Sequence, residues 1–189
     1  MSLEDKQKWE KKYKNTPKLL EKREASQKLL EFSKYFSGKN ALDFACGNGR
    51  NALYLAKLGF NVDAYDISDI ALENLDANDV KSINTKQIDL DGFKADKKYD
   101  LIIKCNYLDR DAIKNLTNAL NHNGIIIIET YMQHPSNTKP DSNPDFLLQA
   151  DELKSFFDDS FEILEYEEFD NEPQELYRMK KQSIVARKK

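Results

Sequence analysis

The hydrophobic pattern changes period along the chain. Residues 1–14 are mostly charged, with Trp9 and Tyr13 four positions apart, which predicts a polar helix with one aromatic face. Pro17 breaks that pattern. A second helix is predicted over about 21–36, with Leu29, Leu30, Phe32 and Phe36 on its apolar side. Ser37-Gly38-Lys39-Asn40 reads as a turn. From Ala41 onward, short apolar runs alternate with helical patterns. Strands are predicted at 41–45, 62–66, 86–90, 99–105 and 125–130. Helices are predicted from Arg50 to a stop at Gly59, after an N-cap at Ser68, and over 111–120. The run Ile125-Ile126-Ile127-Ile128 suits a strand buried on both faces. Such alternation predicts an α/β fold with a doubly wound, mostly parallel sheet. The order then changes. A polar loop with Pro135, Pro140 and Pro144 leads to a short helix at 151–157 and strands at 161–166 and 183–186. No helix is evident between these last two strands, so they are expected to form a hairpin with one strand antiparallel to the rest.

A chain of 189 residues suits one domain, here 39–189, with a helical extension at 1–38. Hydrophobic residues make up 40%, enough for a packed core. The longest apolar runs are far too short for a membrane span, and no apolar segment follows the charged start, so a cytoplasmic protein is expected. The formal charge of −4 is uneven: residues 1–40 carry +5, residues 178–189 carry +6, and the middle carries −15. Basic ends are read as solvated faces, and the acidic centre disfavours a nucleic-acid partner. Cys46 and Cys105 make neither a disulfide framework nor a zinc pattern, so no metal is expected.

The candidate chemistry lies where the first strand ends in Cys46-Gly47-Asn48-Gly49-Arg50-Asn51. Gly47 and Gly49 let the backbone turn sharply and approach a ligand, and the next helix presents its free N–H groups there. That spacing also fits a dinucleotide loop. Three acids sharpen the picture. Asp43 within the first strand can brace the loop or meet a cationic group. Asp66 ends the second strand where a ribose diol would lie, and Asp89 ends the third. Each alone also reads as a turn cap.

The segments Ala41-Leu42-Asp43-Phe44-Ala45-Cys46-Gly47-Asn48-Gly49-Arg50-Asn51, Val62-Asp63-Ala64-Tyr65-Asp66-Ile67-Ser68, Asp89, and Tyr99-Asp100-Leu101-Ile102-Ile103 resemble the class I S-adenosylmethionine-dependent methyltransferases. Trp9 and Tyr13, Gly49-Arg50-Asn51, Glu129-Thr130 and Asn143-Pro144-Asp145-Phe146-Leu147-Leu148 are similar to a tellurite-resistance-type branch of small bacterial members. The resemblance implies a seven-stranded sheet with an antiparallel last strand. It implies S-adenosylmethionine as cofactor, with its methionine end over Ala45, Gly47 and Gly49 and its amino group at Asp43. The ribose would meet Asp66, and the adenine would meet Ile67, Asp89 and Leu90. Asn106 would line the methyl-donor side. Asn51 and Tyr13 complete the cofactor set, Tyr13 with Trp9 as a lid. Asn121-His122-Asn123-Gly124 departs from the usual Pro-Gly-Gly before the fifth strand, far from the site.

Acceptor-side residues must follow the fourth and fifth strands. That rule selects Asn106, Tyr107 and Arg110, and then Glu129, Tyr131 and His134; Tyr107, Arg110 and His134 are the catalytic candidates. His122 lies at the wrong end. Cys46 and Cys105 end neighbouring strands and are read as packing residues or, alternatively, a soft thiol pair. The expected activity is in-line methyl transfer to a small-molecule acceptor, by a monomer or homodimer. A nicotinamide-dependent oxidoreductase and a non-catalytic S-adenosylmethionine sensor are the alternatives.

Overall fold

A computed structural model of the protein describes residues 3–140, 142–171, 175 and 177–189. The chain runs α1 (Leu3–Asn15), a short 3-10 turn (Pro17–Leu20), α2 (Gln27–Phe32), β1 (Asn40–Phe44), α3 (Arg50–Lys57), β2 (Asn61–Asp66), α4 (Asp69–Asp76), β3 (Ile83–Gln87), β4 (Tyr99–Cys105), α5 (Arg110–Asn118), β5 (Leu120–Tyr131), β6 (Phe161–Asp170) and β7 (Lys180–Lys188). Residues 1 and 2 of the first predicted helix, and part of the β6–β7 connection, lie outside the described residues.

The strands form one seven-stranded sheet in the order β3-β2-β1-β4-β5-β7-β6. β1 to β5 pair in parallel, and β7 runs antiparallel to both β5 and β6. The predicted hairpin and antiparallel last strand are thus present. Each face of the sheet has its own apolar core. One holds Leu42, Phe44, Ile102, Ile126, Ile128 and the α5 side chains Ile113 and Leu116. The other holds Ala41, Leu101, Ile103, Ile125, Ile127 and the α3 side chains Ala52 and Leu55. Alternate isoleucines of β5 serve opposite faces, which is why that run is unbroken.

Three elements differ from the sequence expectation. The helix expected over 21–36 is helical only from Gln27, with a 3-10 turn at Ser33–Tyr35. Its first part is extended because the glycine loop takes its backbone groups. Asn48 Nδ2 donates to Glu21 O at 3.1 Å, and Ser26 N donates to Asn51 Oδ1 at 2.9 Å. β3 lies at Ile83–Gln87 rather than 86–90, so Asp89 stands two residues beyond its end. The helix expected at 151–157 is a 3-10 turn, Glu152–Phe156, entered through Asp151 at φ 60°.

At the amino edge, Asp100 accepts from Lys39 N, Asn40 N and Asn121 Nδ2 at 2.8, 3.0 and 2.7 Å. That carboxylate fixes the turn into β1 and packs flat on Gly38, where any Cβ would collide with it. The departure at residues 121–124 is therefore a brace at the far edge, away from the carboxyl ends of the strands.

Candidate functional site

The order reverses between β1 and β4, and the crevice beyond their carboxyl ends is the place where open α/β sheets bind ligands. The connection from β1 to α3 is built on left-handed backbone: Ala45 at φ 61°, Gly47 at 55° and Gly49 at 78°. At Gly49 a side chain would run into Leu75 of α4. At Gly47 an added Cβ would stand 3.0 Å from the Tyr13 hydroxyl. Glycine there leaves a bare backbone facing Tyr13, a cradle that any side chain would fill.

Two buried carboxylates hold this loop. Asp66 Oδ2 accepts from Gly47 N at 2.7 Å, and its Oδ1 accepts from Ser68 N at 3.0 Å. Burial pushes Asp66 up from the ordinary carboxylate range, against the pull of these amides. Asp43 Oδ2 accepts from Ala52 N at 3.0 Å, in the first turn of α3. Asp43 is 1% exposed, and burial pushes it up to about 7. Of the two roles read for Asp43 from sequence, the structure shows the loop brace. Ser68 caps α4, its Oγ accepting from Ala71 N at 3.2 Å.

The other cofactor-side residues divide. Ile67 and Leu90 are buried together in the first core cluster, and Trp9 packs against that cluster. Asp89 is exposed and accepts from Asp91 N at 3.0 Å, closing its own turn. Asn106 follows β4 in left-handed conformation at φ 58°, its N–H donating to Glu129 O at 2.8 Å. Asn51 bonds to Ser26 and, at 3.7 Å, to Cys105 Sγ. Tyr13 is buried, and burial, with the Asp66 carboxylate adding to it, pushes its hydroxyl well above the ordinary range. Helix α1 is fastened across this rim. Glu10 Oε1 accepts from Ser68 Oγ at 3.0 Å, and Lys6 pairs with Asp69 at 2.7 Å.

The three catalytic candidates do not converge. Arg110 pairs with Glu152 through Nε at 2.6 Å and Nη2 at 3.0 Å, and also donates to Asp145 O and Leu147 O. It anchors the 145–152 loop. His134 Nδ1 accepts from Ser136 N at 3.1 Å, inside its own turn. Tyr107 donates to Asp91 Oδ1 at 3.3 Å, and burial raises its hydroxyl. Of the two cysteines, Cys46 is pushed well up, and Cys105 to about 12, in both cases chiefly by burial, so both are thiols rather than thiolates. Among the described residues no group of three or more His, Cys, Asp or Glu is placed to hold a metal ion.

Sequence reasoning missed Lys104, although a lysine inside Ile102-Ile103-Lys104-Cys105 is visible in the pattern. Lys104 is fully buried between Phe44 and Ile128 in neighbouring strands. Its amine donates to Tyr107 O and lies 4.9 Å over the Tyr107 ring. Burial pushes it down to about 7, only partly offset by Asp109. The unfolded chain keeps an ordinary lysine near 10.4, so between pH 7 and 10 it binds more protons than the native state, and native stability rises with pH. Measured against Lys104→Met, wild type is expected to gain ground from pH 7 to 9.5 in urea midpoint. A constant difference would mean that Lys104 titrates normally.

The sheet order, the antiparallel β7 and the braced glycine loop at the switch point together define the class I methyltransferase fold. Within that class, the chain belongs to the TehB tellurite resistance protein family, whose model matches residues 1–184. It is 29% identical over 178 residues to a probable S-adenosyl-L-methionine-dependent methyltransferase TehB of Haemophilus influenzae, covering 85% of this chain and 61% of that protein. The chain therefore spans about three fifths of that curated relative. The crystal structure of TehB from H. influenzae superposes with a TM-score of 0.78 at 28% identity, covering 87% of this chain and 63% of that one. A ubiquinone biosynthesis O-methyltransferase of Rickettsia typhi is 38% identical over 98 residues, 47% of this chain and 39% of that protein. The N-methyltransferase NodS of Bradyrhizobium japonicum shares the fold, with a TM-score of 0.67 at 17% identity over 85% of this chain and 92% of that one. Among the described residues no helix is long and apolar enough to cross a membrane.

Proposed function

We propose that the chain binds S-adenosylmethionine on the β1–β2 rim and transfers its methyl group to a small-molecule acceptor. The observation that carries this reading is the buried Asp66 carboxylate clamped to the bare Gly47 amide at the strand-order reversal. Membership of the TehB family supports it, as does the H. influenzae relative, a probable S-adenosyl-L-methionine-dependent methyltransferase. The bound cofactor supplies an electrophilic methyl group on a sulfonium centre. Asp66 offers the ribose a carboxylate already oriented by two backbone amides. Asp43 fixes the first turn of α3, so the amides around Gly47 and Gly49 keep their places whether or not a ligand is bound. Ile67 and Leu90 give the adenine an apolar wall, with Asp89 at its polar margin, and Asn106 after β4 lines the methyl-donor side. Trp9 and Tyr13 are the lid. In the present conformation Tyr13 stands over Gly47, so α1 exchanges places with part of the ligand and then closes over it, excluding water. Residues 1–38 thus act as a helical cover on the domain at 39–189. Alignment and water exclusion are the main demands of the reaction, and they need neither a catalytic triad nor a metal.

Calorimetry on the full chain tests this. S-adenosylmethionine and S-adenosylhomocysteine are expected to bind saturably, and NADH is not. Binding of NADH without binding of either adenosyl ligand would transfer the site to nicotinamide chemistry.

A further inference from the structure

Strands β3 and β4 are not neighbours, since β2 and β1 lie between them. The turn after β4 and the loop after β3 nevertheless meet, on the face of the sheet that carries α5. Tyr107 makes the contact. Its hydroxyl donates to Asp91 Oδ1 at 3.3 Å, and Asp91 N donates to Asp89 Oδ1 at 3.0 Å. Its ring lies 6.2 Å from Phe44, Phe44 lies 5.0 Å from Phe93, and Phe93 meets Tyr65 edge-on at 5.9 Å. Phe44 and Tyr65 stand at the carboxyl ends of β1 and β2, and Leu90 is fully buried in the same core. The turn that presents Tyr107 is held by Lys104. The register sets Lys104 between Phe44 and Ile128, so alternation places it on this same face, while Asp43 of β1 and Glu129 of β5 point to the other. An ammonium in such a slot is costly unless it is engaged. Its Nζ donates to Tyr107 O and lies 4.9 Å over the Tyr107 ring, so the chain folds back on the strand it has just left. Asn106, between them, is left-handed, with its N–H tied to Glu129 O. The turn thus has one anchor on β5 and one on β4.

We infer that Lys104 is a positioning residue for the adenine half of the cofactor site, holding Tyr107 against Asp91 so that the turn after β4 and the loop after β3 close that site as one rim. The inference rests on the methyltransferase reading, which sets the adenine against Ile67, Leu90 and Asp89. A lysine suits the task because it grips in two ways at once. The amine donates to a carbonyl, and its charge is drawn to the ring face. A leucine or methionine would fill the slot and supply neither. Few groups face the amine. Asp109, at the start of α5, pulls on it but is engaged as the α5 cap, accepting from Asp111 N and Ala112 N at 2.9 and 3.0 Å. Cys105, next along β4, is held as a thiol by burial. Asp89 and Asp91 lie toward the far end, around the Tyr107 hydroxyl. The nearest grip on the charge is therefore the turn itself.

The test is calorimetry on the full chain with S-adenosylhomocysteine and with 5′-methylthioadenosine, which keeps the adenosine and lacks the amino-acid end. Lys104→Met is expected to weaken both ligands by the same factor, roughly 3–10-fold at pH 6.5. Tyr107→Phe keeps the ring and loses the bond to Asp91, and should weaken both by about 2–5-fold. The double variant should lose less than the product of the two, because both act through one bridge. A pH series separates positioning from mere packing. Burial sets Lys104 at about 7, so the advantage of wild type over Lys104→Met should shrink from pH 6 to 8.5, as the charge and its pull on the ring are lost. Asp43, also pushed up to about 7, titrates in both proteins and cancels from the ratio. Three results would overturn the inference: a ratio that does not change with pH, a deficit for S-adenosylhomocysteine that 5′-methylthioadenosine does not share, or multiplicative losses in the double variant. Should Lys104→Met fail to fold, Tyr107→Phe reads the same bridge from its other end, and wild-type affinity there for both ligands overturns the inference. Unchanged affinity in both variants removes the inference alone; no binding of either ligand by wild type removes the methyltransferase reading, and the inference with it.

Discussion

Replacing Asp66 with alanine is expected to weaken S-adenosylmethionine binding by roughly 10–150-fold, the loss of one charge-assisted hydrogen bond or its equivalent. Two effects act together. The ribose loses its carboxylate partner, and the Gly47 and Ser68 amides lose the acceptor that positions them at 2.7 and 3.0 Å. Asp66→Asn separates them, because its amide oxygen can keep one backbone bond but carries no charge. Its affinity should fall between wild type and Asp66→Ala. Calorimetry with S-adenosylhomocysteine, alongside a thermal melt of each variant, is the measurement. Wild-type affinity in a folded Asp66→Ala would take Asp66 out of the site.

The parts of this fold that sequence made plain are those where local pattern and tertiary demand agree. The isoleucine run of β5 is buried on both faces, and Ser68 caps α4 with its own hydroxyl, as their residue types foretold. Prediction missed where distant side chains decide local structure. The stretch 21–26 has helix-forming residues, yet its backbone is drawn open by Asn48, Arg50 and Asn51, side chains of the glycine loop and α3. β3 is only partly buried and mostly polar, so its alternation gave no clear register and the strand slid by three residues. Around the site, the glycine loop and Asp66 at the end of β2 stood out because glycines and aspartates have few reasons to gather at strand ends, whereas Asp89, expected to end β3, lies two residues beyond it and closes its own turn. The acceptor side was not. Arg110 and His134 were singled out by position alone, and position cannot show that Glu152 and Ser136 already engage them. Lys181 gave no signal, because its significance arises only when β7 is laid antiparallel beside β5.

That same pairing sets up the second large effect. Lys181 and Glu129 form an ion pair with side chains only 3% and 7% exposed. Burial alone would raise Glu129, but Lys181, with Ser26, holds it below the ordinary glutamate range. A carboxylate depressed in this way contributes stability above its unfolded pKa, near 4.3, and loses that contribution as pH falls through the lower folded value. Lys181→Met reverses the sign. Glu129 is then a buried charge left with the Ser26 hydroxyl and the weaker pull of Arg50, and the cost at pH 7 is about 3–5 kcal/mol. Protonation relieves it, so in the variant the native state binds the extra proton and stability falls as pH rises. The gap between wild type and Lys181→Met is therefore expected to be widest at pH 7 and to narrow toward pH 5, read from urea midpoints at both. A gap independent of pH would mean that lost packing of the lysine stem, not the stranded charge, sets the cost. Adding Glu129→Leu to Lys181→Met removes the stranded charge and should restore most of the stability, since an apolar pair of similar volume often matches a buried ion pair.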